Sequence, residues 1–368
     1  MLNVIFCALP IHAQFSITKN EGDRELIIKV MDKIYNFEFD EAKKLLPEVK
    51  KRIPNHPIYD FLEAMNLYWQ IVPISNNHPL FKDYVNHINN VLKLSEPLLK
   101  SKDHKEEAFY FLLAAHSSLT LVNVKMKDYM GAINEARSSY LYMKEGFALT
   151  NKNPEFHFST GLYNFYAEQY PNTHPFMRPF MYFFAKGSIK FGLEELERGS
   201  KLGHFCRTES MYFLGHVNLK YLSDPHRAYP NFKALTEKYP NNLWYLCRYV
   251  ETLILLHRFE EAKNYLAVLD ESNLDYYKFS AHVFHGMIEQ LQNNNIVHAR
   301  THFLKAIKIS DESKKNVSDY KAFVYCYLGL GYEKEKNIKM AKYYIDKAED
   351  DAEYEMIRKE IRDFNLRN

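Results

Sequence analysis

Glycine is scarce in this sequence, with 12 of 368 residues, or about 3% where about 7% is usual. Sandwich and dinucleotide-binding folds need glycine in turns and phosphate loops, so the shortage argues against both classes. No apolar run reaches the roughly 18 residues of a membrane-spanning helix, so none is predicted. Long amphipathic helices need little glycine, and the 28 tyrosines and 26 phenylalanines suit helices that pack through bulky side chains.

The chain also lacks a strong charge of either sign. Its formal net charge is +2, and its acidic and basic residues are interleaved. A nucleic-acid-binding protein usually carries a basic patch or stripe, so no nucleic-acid partner is predicted. Hydrophobic residues at 46% and charged residues at 26% are typical of a folded protein.

Cysteine is rare, with four residues, of which Cys206, Cys247 and Cys326 lie in apolar helical stretches. The fourth, Cys7, lies in the leader-like residues 1–13 described below. The three that remain cannot all pair with one another. They are therefore predicted to be buried small hydrophobic residues rather than a disulfide or a metal site.

Residues 1–13 resemble a secretory leader. Residues 2–11 are apolar apart from Asn3, and Ala13 supplies a small residue before Gln14. Many exported Bacteroidetes proteins have leaders that end in Ala-Gln, so cleavage after Ala13 and a periplasmic or outer-membrane location are predicted. The apolar run is short, and no Lys or Arg precedes it. If the segment is not a leader, the location is cytoplasmic.

The C-terminal third carries the clearest internal repeat, with a period in the thirties. An aromatic residue, a Leu-Gly pair and a tyrosine precede an alanine, a bulky residue and a second alanine. In order, these positions are Tyr325, Leu328, Gly329, Tyr332, Ala341, Ile345 and Ala348. The small residues let two helices of a hairpin approach closely, and Asn337 falls in the turn between them.

Parts of the same pattern recur upstream and predict a series of hairpins. The recurring groups are Ala42, Leu46 and Val49, with Asp40 as N-cap; Gly161 with Gly192, Leu196 and Gly199; Gly215 with Ala228, Phe232 and Leu235; Ala262, Leu266 and Leu269; and Gly286 with Ala299, Phe303 and Ala306. Residues 58–100 and 105–150 lack this regularity and are predicted to form long amphipathic helices.

These spacings resemble the tetratricopeptide repeat family over most of residues 23–353, most closely from 205 onward. The resemblance implies an all-α, right-handed solenoid of about seven helical hairpins that binds a partner along its concave face. With the leader, the chain resembles an exported tetratricopeptide protein of the Bacteroidetes type. The predicted organisation is a leader at 1–13, degenerate hairpins at 20–150, an interrupted hairpin at 151–204 and regular repeats at 205–368.

The interrupted hairpin carries an insertion at residues 170–184, between the helices of Gly161 and Gly192. Three prolines are expected to break any helix in its first half, and its second half is aromatic. Three interpretations stay open: the insertion packs back between hairpins, docks a partner protein, or touches a membrane surface. The docking interpretation uses Phe176, Met177, Phe180 and Tyr182.

No catalytic signature is present, such as a phosphate loop or a His-Glu-x-x-His motif, so no catalytic residue and no cofactor are predicted. His282, His285, His298 and His302 have spacings that occur in zinc sites, but nothing requires them to converge. They are predicted to be helix-surface or interhelical histidines, with no metal site. A hydrolase or metal enzyme beside the insertion is the alternative, and it requires convergence of His157, His174, His204 or Glu168.

The leading hypothesis is a non-enzymatic adaptor that holds a peptide or a helix of a partner protein. Besides the insertion, six side chains are predicted at exposed positions of the concave face, where aromatic residues and arginine dominate binding energies. They are Phe158, Tyr212, His216, Trp244, Arg248 and Glu251. A self-assembling structural protein of the envelope is a further alternative.

Overall fold

The computed structural model describes residues 15–72, 74, 76–173, 178, 184–313 and 320–368. Within these residues the regular structure is helical and no strand occurs. The first ten α-helices are α1 (Ser16–Lys19), α2 (Glu21–Tyr35), α3 (Phe39–Arg52), α4 (Ile58–Ile71), α5 (Phe81–Ser95), α6 (Lys105–Lys125), α7 (Tyr129–Leu149), α8 (His157–Thr173), α9 (Ile189–Leu202) and α10 (Arg207–Lys220). The remaining α-helices are α11 (Pro225–Lys238), α12 (Leu243–Leu255), α13 (Phe259–Asp270), α14 (Asp275–Leu291), α15 (Ile296–Glu312), α16 (Lys321–Lys334), α17 (Ile338–Asp350) and α18 (Glu355–Arg367).

Consecutive helices pair as hairpins, from α2–α3 to α16–α17, and α18 packs on the last pair. The predicted all-α class and serial hairpins are confirmed, with eight hairpins in the described residues where about seven were expected. The contacts divide the chain into two compact units, Met1–Ser210 (unit 1) and Met211–Asn368 (unit 2), and the boundary falls within α10. No helix among the described residues is long and apolar enough to cross a bilayer.

The turns of most hairpins share one backbone conformation, which explains why the helix pairs repeat. A residue with positive φ ends the first helix, and the next residue caps the second. In the last hairpin Lys336 has a φ of 62°, and Asn337 then accepts a hydrogen bond from the backbone N–H of Met340. The equivalent positive-φ residues are Phe37, Lys127, Ser223, His257 and Asn294.

Close helix contacts form where the sequence predicted them. A Cβ added at Gly329 would lie 2.7 Å from the Ile345 side chain. A Cβ at Gly192 would lie 2.6 Å from the backbone nitrogen of Phe165, so α8 and α9 touch through their main chains. The three cysteines Cys206, Cys247 and Cys326 are buried, as predicted.

Inner and outer helices differ in how they are buried, and this difference positions the candidate site. Most side chains of α12 and α14 are buried, whereas α13 and α15 bury a single stripe. A helix that is apolar on all sides belongs in the interior. Residues of α12 therefore face protein on most sides, although their helical spacing does not distinguish core from surface.

The long helices predicted at 58–100 and 105–150 form the pairs α4–α5 and α6–α7, and Lys127, with a φ of 61°, separates α6 from α7. Two local predictions were wrong. Asp40 lies in the first turn of α3, because the shared turn makes Glu38 the cap. The helix before the insertion continues to Thr173, because Pro171 forfeits one backbone hydrogen bond there without ending the helix.

Candidate functional site

A buried polar network lies at the centre of unit 2. Arg248 Nη1 lies 3.1 Å from Glu251 Oε2 and 2.8 Å from the hydroxyl oxygens of Tyr320 and Tyr354. The Tyr320 hydroxyl also donates to Glu251 Oε2 at 2.7 Å. Burial raises the pKa of Glu251, while Arg248 and the two hydroxyls oppose that rise. The network thus compensates each buried charge with several polar neighbours.

Half-buried aromatic side chains cover this network. Trp244 stacks on Tyr276 with ring centroids 5.1 Å apart, and the Arg248 guanidinium lies 5.2 Å from the Trp244 ring centroid. The indole N–H of Trp244 donates to the Tyr212 hydroxyl at 2.9 Å, and the ring of His216 stacks on that of Tyr212 at 5.8 Å. We call the half-buried side chains Tyr212, His216 and Trp244 the Trp244 surface.

The Trp244 surface carries a neutral imidazole at neutral pH. Burial among aromatic rings, followed by the positive charges of Arg248 and Lys220, holds the pKa of His216 well below its usual range. His216 Nδ1 is buried, so His216 would meet a partner through the exposed part of its ring and not through this nitrogen.

Arg248 and Glu251 were predicted at exposed positions, and the structure corrects this. Their exposed fractions are 2% and 0%, because α12 is an inner helix. They support the Trp244 surface from beneath instead of lining it. Sequence reasoning missed the partners Tyr276, Tyr320 and Tyr354, since no local spacing links them to α12.

The other predicted partner-binding residues are not part of this surface. Phe158 is half-buried on α8, in unit 1. Phe176, Met177, Phe180 and Tyr182 lie outside the described residues, so the three interpretations of the insertion stay predictions.

The described end of the insertion is anchored on unit 1. The Tyr163 hydroxyl donates to the carbonyl of Ala185 at 2.7 Å, and the Ala185 N–H donates to the Tyr140 hydroxyl at 2.9 Å. Phe184 packs edge-on against Tyr140, with ring centroids 4.8 Å apart. The Ile189 N–H then donates to the Glu168 carboxylate at 2.6 Å, where α9 begins.

A cavity of about 390 Å³ opens beside this anchored end, between α7, α8 and α9. Phe147, Tyr163 and Phe191 supply aromatic walls, and Lys186 and Arg198 add positive charge. Glu195, also in the lining, is 1% exposed and is held by His157 at 2.8 Å and by Arg198 at 3.2 Å. The volume lies within the usual range for ligand pockets, about 300–1,000 Å³.

The residues required by the enzyme alternative do not share a pocket. His157 pairs with Glu195, Glu168 accepts the Ile189 N–H, and the side chain of His204 is exposed. None of these three lines the cavity. His174 lies outside the described residues.

The four histidines of α14 and α15 converge, which the interhelical interpretation allowed and the sequence spacing did not require. The ring of His302 lies 5.5 Å from His282, 5.0 Å from His285 and 5.1 Å from His298. Helix spacing placed each pair on one face, and the packing of the hairpin brings the two faces together. Burial, and then the neighbouring histidines and Lys305, lower the pKa of His302 to about 4.

Acidic neighbours of this histidine group were also missed. Asp270 pairs with His285 at 2.9 Å, and Glu289 lies 3.3 Å from His298. Over the described part of the chain, no set of three or more His, Cys, Asp or Glu side chains is arranged to hold a metal ion.

Serial hairpins with shared turns and close small-residue contacts define a tetratricopeptide-like helical repeat protein. No protein-family model matches the chain, and no curated protein matches it. Among solved structures it is similar to a monomeric IFIT1 mutant with Gppp-AAAA, at 17% identity and a TM-score of 0.42, covering 84% of this chain and 67% of that one. It is also similar to the human IFIT1 dimer with m7Gppp-AAAA, at 17% identity, a TM-score of 0.43, and 85% and 68% coverage. The human IFIT1 dimer with PPP-AAAA gives 18% identity, a TM-score of 0.40, and 84% and 67% coverage. These distant similarities concern the helical fold alone.

Proposed function

We propose that this protein is a non-enzymatic, exported scaffold that binds a peptide or a helix of a partner protein. The Trp244 surface is the observation that carries the proposal. Tyr212, His216 and Trp244 are half-buried, so each is held in place by packing yet keeps part of its area open to solvent. Ordered aromatic side chains bury large areas at little entropic cost, which makes them strong anchors for a partner.

The buried network makes this surface rigid. Arg248 lies beneath Trp244, and its hydrogen bonds tie α12 to Tyr320 and Tyr354. A surface fixed before binding loses little conformational freedom on binding, which favours affinity. The cavity beside the insertion offers a second place where one or two partner side chains would fit, and its Lys186 and Arg198 favour an acidic group.

Peptide selection with a spectroscopic readout tests the proposal. The chain has two tryptophans, so Trp69→Phe leaves Trp244 as the only indole. Peptides selected from a random library against the full chain are expected to change the emission of Trp244. The change His216→Ala should weaken those peptides at least about tenfold, since it removes a central contact.

The matched control is His226→Ala, which removes an exposed histidine of α11 in the same unit. Peptides that bind without changing the Trp244 emission, and equally to both variants, would exclude the Trp244 surface as the site. A library that yields no binder would count against peptide recognition altogether.

The exported location rests on the leader-like residues 1–13, and the segment that follows them packs on unit 1. Phe15 is buried against Tyr110 and Phe156, at ring distances of 5.1 and 6.1 Å, and the Ile17 N–H donates to Glu107 at 2.9 Å. Cleavage after Ala13 would leave this docked segment intact. Mass spectrometry of the mature protein from the source cells should find Gln14 at its N-terminus. A retained residue 1 would exclude the leader.

A further inference from the structure

The hairpin of α6 and α7 is the longest in unit 1 as described. Each helix has 21 residues, whereas the other α-helices of that unit have 17 or fewer. At 1.5 Å per residue, each helix is about 6 Å longer than the next longest. The core of unit 1 uses the proximal half of α6, where Phe111 and Leu112 are fully buried.

The far end of this hairpin exposes large apolar side chains alongside polar ones. We call them the hairpin tip: Leu121, Val124, Met126, Tyr129, Met130 and Ile133. Tyr129 is 64% exposed and Met130 is 68% exposed. Spacings of three and four residues place Tyr129, Met130 and Ile133 on adjoining positions of α7. Exposed apolar side chains are thus concentrated on both sides of the turn between α6 and α7.

These side chains are not needed to hold the hairpin together. Leu119, Val122 and Ala132 already fill the space between the two helices and are buried. Single exposed apolar residues are normal on proteins, but a cluster of six at one end of a hairpin indicates an interaction surface.

The charges at the turn indicate the kind of partner. Lys125 and Lys127 are exposed on either side of Met126. The nearby acidic residue, Asp128, caps α7 by accepting the Gly131 N–H at 2.9 Å. Tyrosine at the headgroup level, aliphatic side chains below it and lysines directed to phosphates together form the usual composition of an interfacial membrane anchor.

We propose that the hairpin tip inserts into the surface of a membrane that contains anionic lipid. A second copy of the chain is a poorer occupant, because a two-fold contact between tips would bring Lys125 and Lys127 against their own counterparts. The insertion is shallow: Met130 and Ile133 enter the acyl boundary, while Lys125 and Lys127 stay at the phosphates.

Vesicle sedimentation of the full chain tests this proposal. Vesicles of phosphatidylcholine with phosphatidylglycerol should bind the protein more tightly than vesicles of phosphatidylcholine alone. The double change Met130→Glu and Ile133→Glu should reduce binding to the anionic vesicles at least about tenfold. Each of Lys125→Gln and Lys127→Gln should reduce it about fivefold.

The control is Val297→Glu, which places the same charge at a 67% exposed apolar position of unit 2 and should leave binding unchanged. Circular dichroism should show that all variants stay folded, since every changed side chain is exposed. Equal sedimentation of the tip variants and the wild type, or no binding to anionic vesicles, overturns the proposal. A wild-type dimer in light scattering that the tip changes dissociate, without vesicle binding, would assign the tip to a second copy instead.

Discussion

Arg248 and Glu251 lie one turn apart on α12 and form an ion pair with 3.1 Å between Nη1 and Oε2, fully enclosed by unit 2. Their charges are compensated chiefly by each other and by the hydroxyls of Tyr320 and Tyr354. Removing one charge leaves the other buried without its counterpart, which is far more costly than losing a surface pair.

The change Glu251→Gln should therefore lower the free energy of unfolding by about 3–5 kcal/mol. Urea unfolding followed by circular dichroism measures this value. The change Glu197→Gln, which breaks the exposed pair with Lys201, is the control and should cost less than about 1 kcal/mol. The double change Arg248→Met and Glu251→Leu should cost less than Glu251→Gln alone, because it removes both charges. Equal losses of unfolding free energy for Glu251→Gln and Glu197→Gln would show that the Arg248–Glu251 pair does not stabilise the core.

A methyl group at Gly192 should destabilise unit 1. The added Cβ would lie 2.6 Å from the Phe165 nitrogen and 2.8 Å from the Gly161 oxygen, and these backbone atoms cannot move without separating α8 from α9. Gly192→Ala should cost about 1–3 kcal/mol in thermal or urea unfolding. Gly22→Ala is the control, because its nearest neighbour is a side-chain atom at 3.4 Å, and it should be neutral or stabilising by up to about 1 kcal/mol. The same loss at both glycines would contradict the close-approach argument.

The carboxylate of Glu155 should be essential for the entry into α10. It accepts the backbone N–H groups of His204 at 2.7 Å and of Phe205 and Cys206 at 2.9 Å. Glu155→Gln replaces one accepting oxygen by an amide that donates, so it should cost about 2–3 kcal/mol. Hydrogen exchange should accelerate at residues 204–206. The control is Glu145→Gln, at an exposed position of α7, which should leave the exchange at residues 204–206 unaltered. Unchanged exchange at these residues in Glu155→Gln would show that its carboxylate does not hold the start of α10.

His302 should make the protein sensitive to mild acid. Burial and the neighbouring histidines lower its pKa to about 4, below the 6.5 of an ordinary histidine. Between these values the unfolded chain takes up a proton that the folded chain does not, so stability falls as the pH drops from 6.5 toward 4. His302→Gln should lose less stability than the wild type between pH 7.5 and about 5. The midpoints of urea unfolding at pH 7.5 and at about pH 5 measure the effect. His226→Gln is the control for the loss of one exposed histidine. A wild type and His302→Gln with parallel pH profiles would contradict this linkage.

The sequence predicted the repeating hairpins well because their signals are local. Gly329 and Ile345 lie within one helix pair. A small residue opposite a bulky one shows in the sequence that the two helices pack closely there. Asn337 could be placed in its turn for the same reason. The prediction was poorer where the pattern is weak, as at Lys127, since a left-handed turn formed by a lysine has no sequence signature.

The candidate site depended on contacts that no local pattern records. Arg248 contacts Tyr320 and Tyr354, which lie 72 and 106 residues away along the chain. The histidine pairs of α14 and α15 meet around His302 only through the packing of their hairpin. The sequence by itself determined an all-helical chain of hairpins, because side-chain size and helical period act between neighbouring helices. Only the tertiary structure decided which inner-helix residues are core and which reach solvent, because that depends on helices packed from distant parts of the chain.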